Sequence, residues 1–144
     1  MPSIEERFSL ALHNTARAWR HALDRRLKDL GVGQAGWMTI AMIAKAEQAL
    51  SQTQLADRLG IENPTMVAMV DRLVKAGLVT RAPSTTDRRV KQVLLTDDGK
   101  KLYGRVRTEA DAFRTELLKD IDPAALAAMT RLLETLQGAA DAAS

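Results

Sequence analysis

Long stretches with apolar residues at helical spacing, two short closely spaced capped helices, and two β-branched or leucine-rich runs around a polar tip predict the fold class. It is mainly α with a small β-hairpin wing, a winged helix-turn-helix flanked by N- and C-terminal helices. The chain has 144 residues, 46% of them hydrophobic. That suffices for one compact core, so a single domain over 1–144 is expected. The winged helix falls at about 48–96 and the outer helices at about 3–31 and 97–140.

The first helix is bounded by Ser3 as cap, with Glu6 three residues on in a capping-box spacing, and by Gly31. Ile4, Phe8 and Leu12 recur every four positions, and Trp19, Leu23, Leu27 and Leu30 continue the stripe. A glycine-rich turn, GVGQAG, leads into WMTIAMIAKAEQ, a helix with too few polar positions to be solvated. Ser51 and Gln54 form a second capping box and open a helix of about two turns that stops at Gly60. Asn63 is expected to cap the next helix, with Pro64 at its first position and Gly77 beyond its end. Val67, Val70 and Leu73 are expected to face inward, which turns Thr65, Ala68, Met69 and Arg72 outward. LVTRA and VKQVLL then read as a hairpin with the tip PSTTDRR. Thr96 caps a further helix that carries Asp97 and Asp98 in its first turn, where the macrodipole favours anions. Asp122-Pro123 starts the last helix, with Leu126, Met129, Leu133 and Leu136 on one face.

Charge is concentrated in one region. The net charge of the chain is +3, yet residues 72 to 96 hold six basic side chains (Arg72, Lys75, Arg81, Arg88, Arg89, Lys91) against one acid, Asp87. A cationic patch on a nearly neutral body is the electrostatic footprint expected where phosphates are met, with a solvated charged face as the bland alternative. The chain has no cysteine and two histidines, His13 and His21, whose spacing does not suit a helical metal site. No nucleophile-base pair, glycine-rich phosphate loop or metal cluster can be assembled, so neither catalysis nor a cofactor is expected. The absence of a long apolar run and of a signal-peptide layout predicts a cytoplasmic protein without a membrane partner.

The motifs LADRLGIENPTMVAMVDRLVKAGLVTR, TTDRR and VLLTDDGKKL resemble the MarR family of bacterial transcriptional regulators over essentially the whole chain. ARAWRHALDRRLKDLGVGQAGWMTI further resembles its SlyA branch, which has a Trp-Arg in the first helix and a Trp at the start of the next. The resemblance implies a homodimer whose terminal helices intertwine and a winged helix in each subunit that binds a palindromic operator on double-stranded DNA. It also implies a crevice where a small aromatic carboxylate or phenolic effector weakens DNA affinity. SlyA-like proteins usually carry an arginine where this chain has Ala68, so their operator sequence does not carry over.

The second helix of a helix-turn-helix enters the major groove through its N-terminal part. Thr65 can hydrogen-bond a base edge, Ala68 and Met69 can meet a thymine methyl, and Arg72 can reach guanine or phosphate. Ser51, Gln52 and Thr53 are candidates for phosphate contacts, a role compatible with capping, and Asn63 stands at the start of the reading helix. In the wing, Arg88 is the candidate for a minor groove. Arg89, Lys91 and Arg81 either touch phosphates or brace the hairpin, and Asp87 is expected to pair with Arg89 or Arg81 to hold the loop in shape. For the effector, the resemblance points to Arg17, Trp19, Arg20 and Trp37, whose plainer roles are surface charges and core indoles. The competing function is a dimeric helical module that binds a protein or an anionic ligand.

Overall fold

The computed structural model describes residues 1–144, which form two compact units, Met1–Ala110 and Asp111–Ser144. In chain order the elements are α1 (Ile4–Arg26), α2 (Gly33–Lys45), β1 (Leu50–Ser51), α3 (Gln52–Leu59), α4 (Asn63–Lys75), β2 (Val79–Pro83), β3 (Lys91–Leu95), α5 (Asp97–Leu118) and α6 (Pro123–Ala143). The predicted winged helix lies within the first unit, from β1 to β3.

Ser3 caps α1, its Oγ accepting from the Glu6 amide at 3.1 Å. The helix does not continue to Gly31 as predicted. The Leu27 amide is shared between the Leu23 and Asp24 carbonyls, and the chain tightens into a 3-10 turn over Lys28–Leu30 that closes at Gly31. The predicted glycine turn is also shorter than expected, because α2 already begins at Gly33 and Gly36 is buried inside it. Trp37 lies in α2 at 7% exposure, and its indole N–H donates to Asp24 Oδ1 of α1 at 2.9 Å.

The capping box at α3 forms as predicted. Ser51 Oγ accepts from the Gln54 amide at 3.1 Å, and Gln54 Oε1 accepts from the Ser51 amide at 2.9 Å. Gly60 then turns the chain in the left-handed region (φ 66°), which an L side chain rarely adopts, and so sets the angle between α3 and α4. Asn63 is not the cap of α4. The first helical bond runs from the Met66 amide to the Glu62 carbonyl, so Glu62 is the extended flanking residue and Asn63 is already in the first turn.

The core of this unit is built from Ile40, Leu55, Met66, Met69, Val70, Leu73, Val79 and Val93, with Leu102 of α5 joining it. On α4 the buried set is Met66, Met69, Val70 and Leu73, spaced i, i+3, i+4, i+7. Val67, predicted inward, is 39% exposed, and Met69, predicted outward, is 6% exposed. The stripe with proper helical spacing wins because it keeps one face against α2 and α3, whereas 67, 70 and 73 drift around the cylinder.

The sheet has order β1-β3-β2 and is antiparallel throughout. The predicted hairpin pairs Val79 with Leu95 at its base and Pro83 with Lys91 at its tip. Its third strand, β1, pairs Leu50 with Val93 and Ser51 with Gln92, and was not foreseen. Thr96 ends the wing and starts α5 in one step. Its Oγ1 donates to the Gly77 carbonyl at 2.6 Å and accepts from the Gly99 amide at 3.0 Å, while its own amide donates to the Leu78 carbonyl at 3.1 Å. Arg26 pairs with Glu109 across α1 and α5 at 3.5 Å.

In the second unit Asp122 caps α6 by accepting from the Ala125 amide at 3.1 Å, with Pro123 at the helix start as predicted. Met129, Leu132, Leu133 and Leu136 of α6 are all exposed, as are Ile4, Phe8, Leu10 and Leu12 of α1. No helix is long and apolar enough to cross a membrane.

Candidate nucleic-acid interface

Three segments of the first unit carry the predicted contacts. At the start of α3, Ser51 and Gln52 are half-buried and Thr53 is exposed. The amides of a helix N-terminus point outward with partial positive charge, which suits a phosphate oxygen. On α4, Asn63, Thr65, Ala68 and Arg72 are exposed. Thr65, Ala68 and Arg72 are spaced i, i+3, i+7 and form one outward stripe. Met69 does not belong to it, since its side chain fills the core, and only its sulfur meets the Arg72 guanidinium at 3.8 Å. The exposed face also carries Val67 and Asp71, which the inward assignment of 67, 70 and 73 concealed. The i, i+3, i+4, i+7 run from Met66 to Leu73 was the available signal for both.

The third segment is the wing. Arg88 and Lys91 are exposed, at the tip and at the start of β3. Asp87 holds Arg89 twice over: Oδ1 accepts from Nε at 3.2 Å, Oδ2 from a terminal nitrogen at 3.3 Å, and Oδ1 also takes the Arg89 amide at 3.0 Å. The Arg89 guanidinium and then its amide hold the Asp87 carboxyl below its ordinary range. The loop is closed by the Ser84 amide on the Val90 carbonyl at 2.8 Å and by the Val90 amide on the Asp87 carbonyl at 3.0 Å. Of the two partners expected for Asp87, Arg89 is the one it has. Arg81 points elsewhere: its Nε donates to Gln52 Oε1 at 2.8 Å, and a terminal nitrogen donates to Asp71 Oδ1 at 2.6 Å.

The residues assigned to an effector are less concentrated. Arg17 and Arg20 are exposed on α1 and Trp19 is half-buried, while Trp37 is in the core with its N–H on Asp24. A cavity of about 570 Å³ lies against α5 and the end of α1, lined by Arg26, Asp29, Leu30, Lys101, Arg105 and Glu109 among others, and none of those four residues contributes to it.

Chemically, the interface offers amide and hydroxyl donors, exposed guanidiniums and ammoniums, and a short hairpin stiffened at its tip. The description "MarR family" matches residues 35–91, from α2 to the start of β3. Among solved structures, the chain is similar to the transcriptional regulator PA3341, with 34% identity, a TM-score of 0.87, and 93% of this chain and 98% of that one covered. It is also similar to a MarR transcriptional regulator from Methanosarcina mazei Go1, at 24% identity and TM-score 0.84, covering 96% and 99% of the two chains. CouR from Rhodococcus jostii RHA1, solved bound to p-coumaroyl-CoA, shares the fold at 20% identity and TM-score 0.80, covering 94% and 95%. With its winged helix, the exposed cations of α4 and the wing, and a relative at 34% identity spanning nearly its full length, this chain belongs to the MarR family of transcriptional regulators.

Proposed function

We propose that the chain acts as a homodimeric regulator that binds a palindromic operator, with Thr65 and Arg72 reading the major groove and Arg88 entering the minor groove. Ser51, Gln52, Thr53 and Lys91 contact phosphates in this reading, and Ala68 meets a thymine methyl. The observation that carries it is the charge pattern of the winged helix. Arg72, Lys75, Arg88 and Lys91 are exposed, while Asp71 and Asp87, the carboxylates next to Arg72 and Arg88, are paired with other arginines.

The dimer is supported by the apolar side chains that the terminal helices leave in water, including Ile4 at 68% exposure and Leu132 at 70%. An exposed apolar stripe along each of these helices is the kind of surface that marks an interface. The SlyA-like branch is supported by the Trp19-Arg20 pair in α1 and by Trp37 in the first turns of α2. Acting as a repressor or an anti-silencer, the protein is released by a small aromatic carboxylate or phenolic ligand. The phenol ring of the p-coumaroyl-CoA held by CouR, a distant member of the same fold, supports the phenolic part of that class. Arg17 and Arg20 are the exposed guanidiniums for such a ligand, and Trp19 is the more accessible indole. A protein that acts on chromosomal DNA works in the cytoplasm.

A salt titration of binding to genomic and mixed-sequence duplexes tests this reading. Each cation of the winged helix that neutralises a phosphate contributes about −0.9 to the log–log salt slope, so affinity should fall steeply with salt. The bound site should show two-fold protection, with half-sites about 10 base pairs apart. A salt-independent interaction, or a monomer by sedimentation at micromolar concentration, refutes it in favour of a helical interaction module.

A further inference from the structure

Arg81 sits at the third position of β2, in the most basic stretch of the chain, yet its described hydrogen bonds all go to other residues of the winged helix. Nε donates to Gln52 Oε1 at 2.8 Å, and a terminal nitrogen donates to Asp71 Oδ1 at 2.6 Å and to the Val67 carbonyl at 3.4 Å. Its side chain is 27% exposed, against 61% for that of Asp71. One guanidinium therefore joins the wing strand to the first residue of α3 and to the outward face of α4.

Two consequences follow from donor chemistry. Arginine has five N–H donors and no acceptor, so the Gln52 amide atom that faces it must be the oxygen. The Gln52 amide is thereby fixed in one of its two orientations, with its carbonyl toward the protein and the two-donor Nε2 on the opposite arm, at the N-terminus of α3 where a phosphate would approach. Asp71, in turn, lies beside Arg72 on the reading helix. Left alone, its carboxylate would repel phosphate, and the Arg81 guanidinium cancels that charge at hydrogen-bond distance.

We propose that Arg81 is a positioning residue for DNA binding: it presents Gln52 Nε2 as a phosphate donor and neutralises Asp71, without itself contacting DNA. The proposal rests on the DNA-binding reading above and adds to it a division of labour. The exposed cations meet the duplex directly, while Arg81 sets a neutral donor and silences an acid.

Because phosphate contacts carry no sequence information, a mixed-sequence duplex about three helical turns long serves as the probe. In the full-length free protein, the Arg81 Nε–H should give a distinct, slowly exchanging NMR signal that is lost in Gln52→Ala. If it exchanges like a solvated arginine, the proposal is overturned whether or not DNA binds. Gln52→Ala, which leaves the Arg81–Asp71 pair in place, should weaken duplex binding about three- to ten-fold, the range of one neutral hydrogen bond. The charge-neutral double variant Arg81→Ala/Asp71→Ala should lose the same factor, and adding Gln52→Ala to it should lose nothing more. Its salt slope should equal that of the wild type. A slope shallower by about 0.9, or losses that multiply, would identify Arg81 as a phosphate contact and overturn the proposal. Arg81→Lys keeps the charge but not the planar fork, and should bind as weakly as Gln52→Ala. Binding by Arg81→Lys at the wild-type affinity would also overturn the role. Failure of the wild type to bind any duplex at low salt, with the NMR signal intact, would instead refute the DNA-binding reading.

Discussion

Replacing Gly99 with alanine should destabilise the protein, although helix propensity alone predicts the reverse. Gly99 lies in the first turn of α5, where alanine is favoured over glycine by up to about 1 kcal/mol. A Cβ there, however, would stand 2.1 Å from the Leu78 carbonyl oxygen and 3.3 Å from Leu95 Cδ2. Since the obstacle is backbone, no side chain can swing aside, and the start of α5 must move by about 1 Å to restore van der Waals distance. The same oxygen accepts the Thr96 amide at 3.1 Å, and the neighbouring Gly77 carbonyl accepts Thr96 Oγ1 at 2.6 Å. Weakening those two bonds costs about 1 kcal/mol each, and disturbing the Thr96 cap costs about 1 kcal/mol more. After the propensity gain is subtracted, a net loss of about 2 kcal/mol remains, which for a chain of this size lowers the melting temperature by roughly 4–8 °C. Thermal unfolding followed by circular dichroism, at matched protein concentration so that association does not shift the comparison, measures it. Gly104→Ala supplies the control in the same helix: nothing lies within 4 Å of its added Cβ, so it should stabilise by about 0.5–1 kcal/mol. A Gly99→Ala protein that melts at or above the wild-type temperature would refute the close-approach argument. Because Gly77, Leu78 and Thr96 sit where the reading helix passes into β2 and where β3 ends, loosening this junction should also weaken DNA binding.

Met69→Ala should cost about 2–4 kcal/mol of stability as a core cavity, and a normal denaturant midpoint would return Met69 to the groove-reading face. Arg88→Ala should weaken binding most on operators with A·T-rich flanks, and an equal loss on G·C-flanked duplexes would reduce Arg88 to a phosphate contact. Trp37→Phe keeps the ring but leaves Asp24 without its indole donor, so stability should fall by about 1–3 kcal/mol; unchanged unfolding with altered effector release would favour an effector role for Trp37 instead. Asp87→Ala raises the net positive charge, yet affinity at fixed salt should fall a few-fold while the melting temperature barely moves, and tighter binding would sink the bracing role. The same brace has a pH signature. The folded-state pKa of Asp87 is lowered, so the pairing is fully present above the ordinary carboxylate range and is lost as pH falls through the lowered value. An NMR titration of the Asp87 carboxyl with a midpoint at or above that of a free aspartate would contradict it.

What could be read from the sequence was whatever local chemistry decides. The caps Ser3, Ser51, Thr96 and Asp122 form the predicted bonds, because a capping oxygen needs only the amide three residues on. The hairpin itself follows from two β-prone runs around a polar tip, while its register, with Pro83 opposite Lys91, is set by the pairing of the strands and not by those runs. Other features depend on partners far along the chain. Strand β1 has only two residues, too few to show a period, and exists because β3 offers it a free edge. Arg81 meets Gln52 across 29 positions, a pairing that no local pattern encodes. The rotation of α4 departs from the expectation for another reason. The unbranched thioether of methionine fills irregular core gaps well, and the spacing of Met66, Met69, Val70 and Leu73 favours the observed face.

Two acids of the proposed DNA-facing surface, Asp71 and Asp87, share one physical account. Asp71 and Asp87 each lie next to an arginine in sequence, Arg72 and Arg88, and each pairs instead with a different one, Arg81 and Arg89. An adjacent pair on a helix or at a loop tip points in divergent directions, so the neighbouring arginine stays free while the acid captures a guanidinium that the fold brings alongside. Each capture removes one positive and one negative charge from the balance and adds a fixed backbone or side-chain geometry. Exposed pairs of this kind contribute little to folding. What they change is how many conformations the free wing and the α3 N-terminus must abandon when a duplex arrives, which is an association cost rather than a stability term. Substitutions at the two acids should therefore register in DNA affinity and in the exchange of the paired guanidinium protons, with thermal unfolding nearly silent.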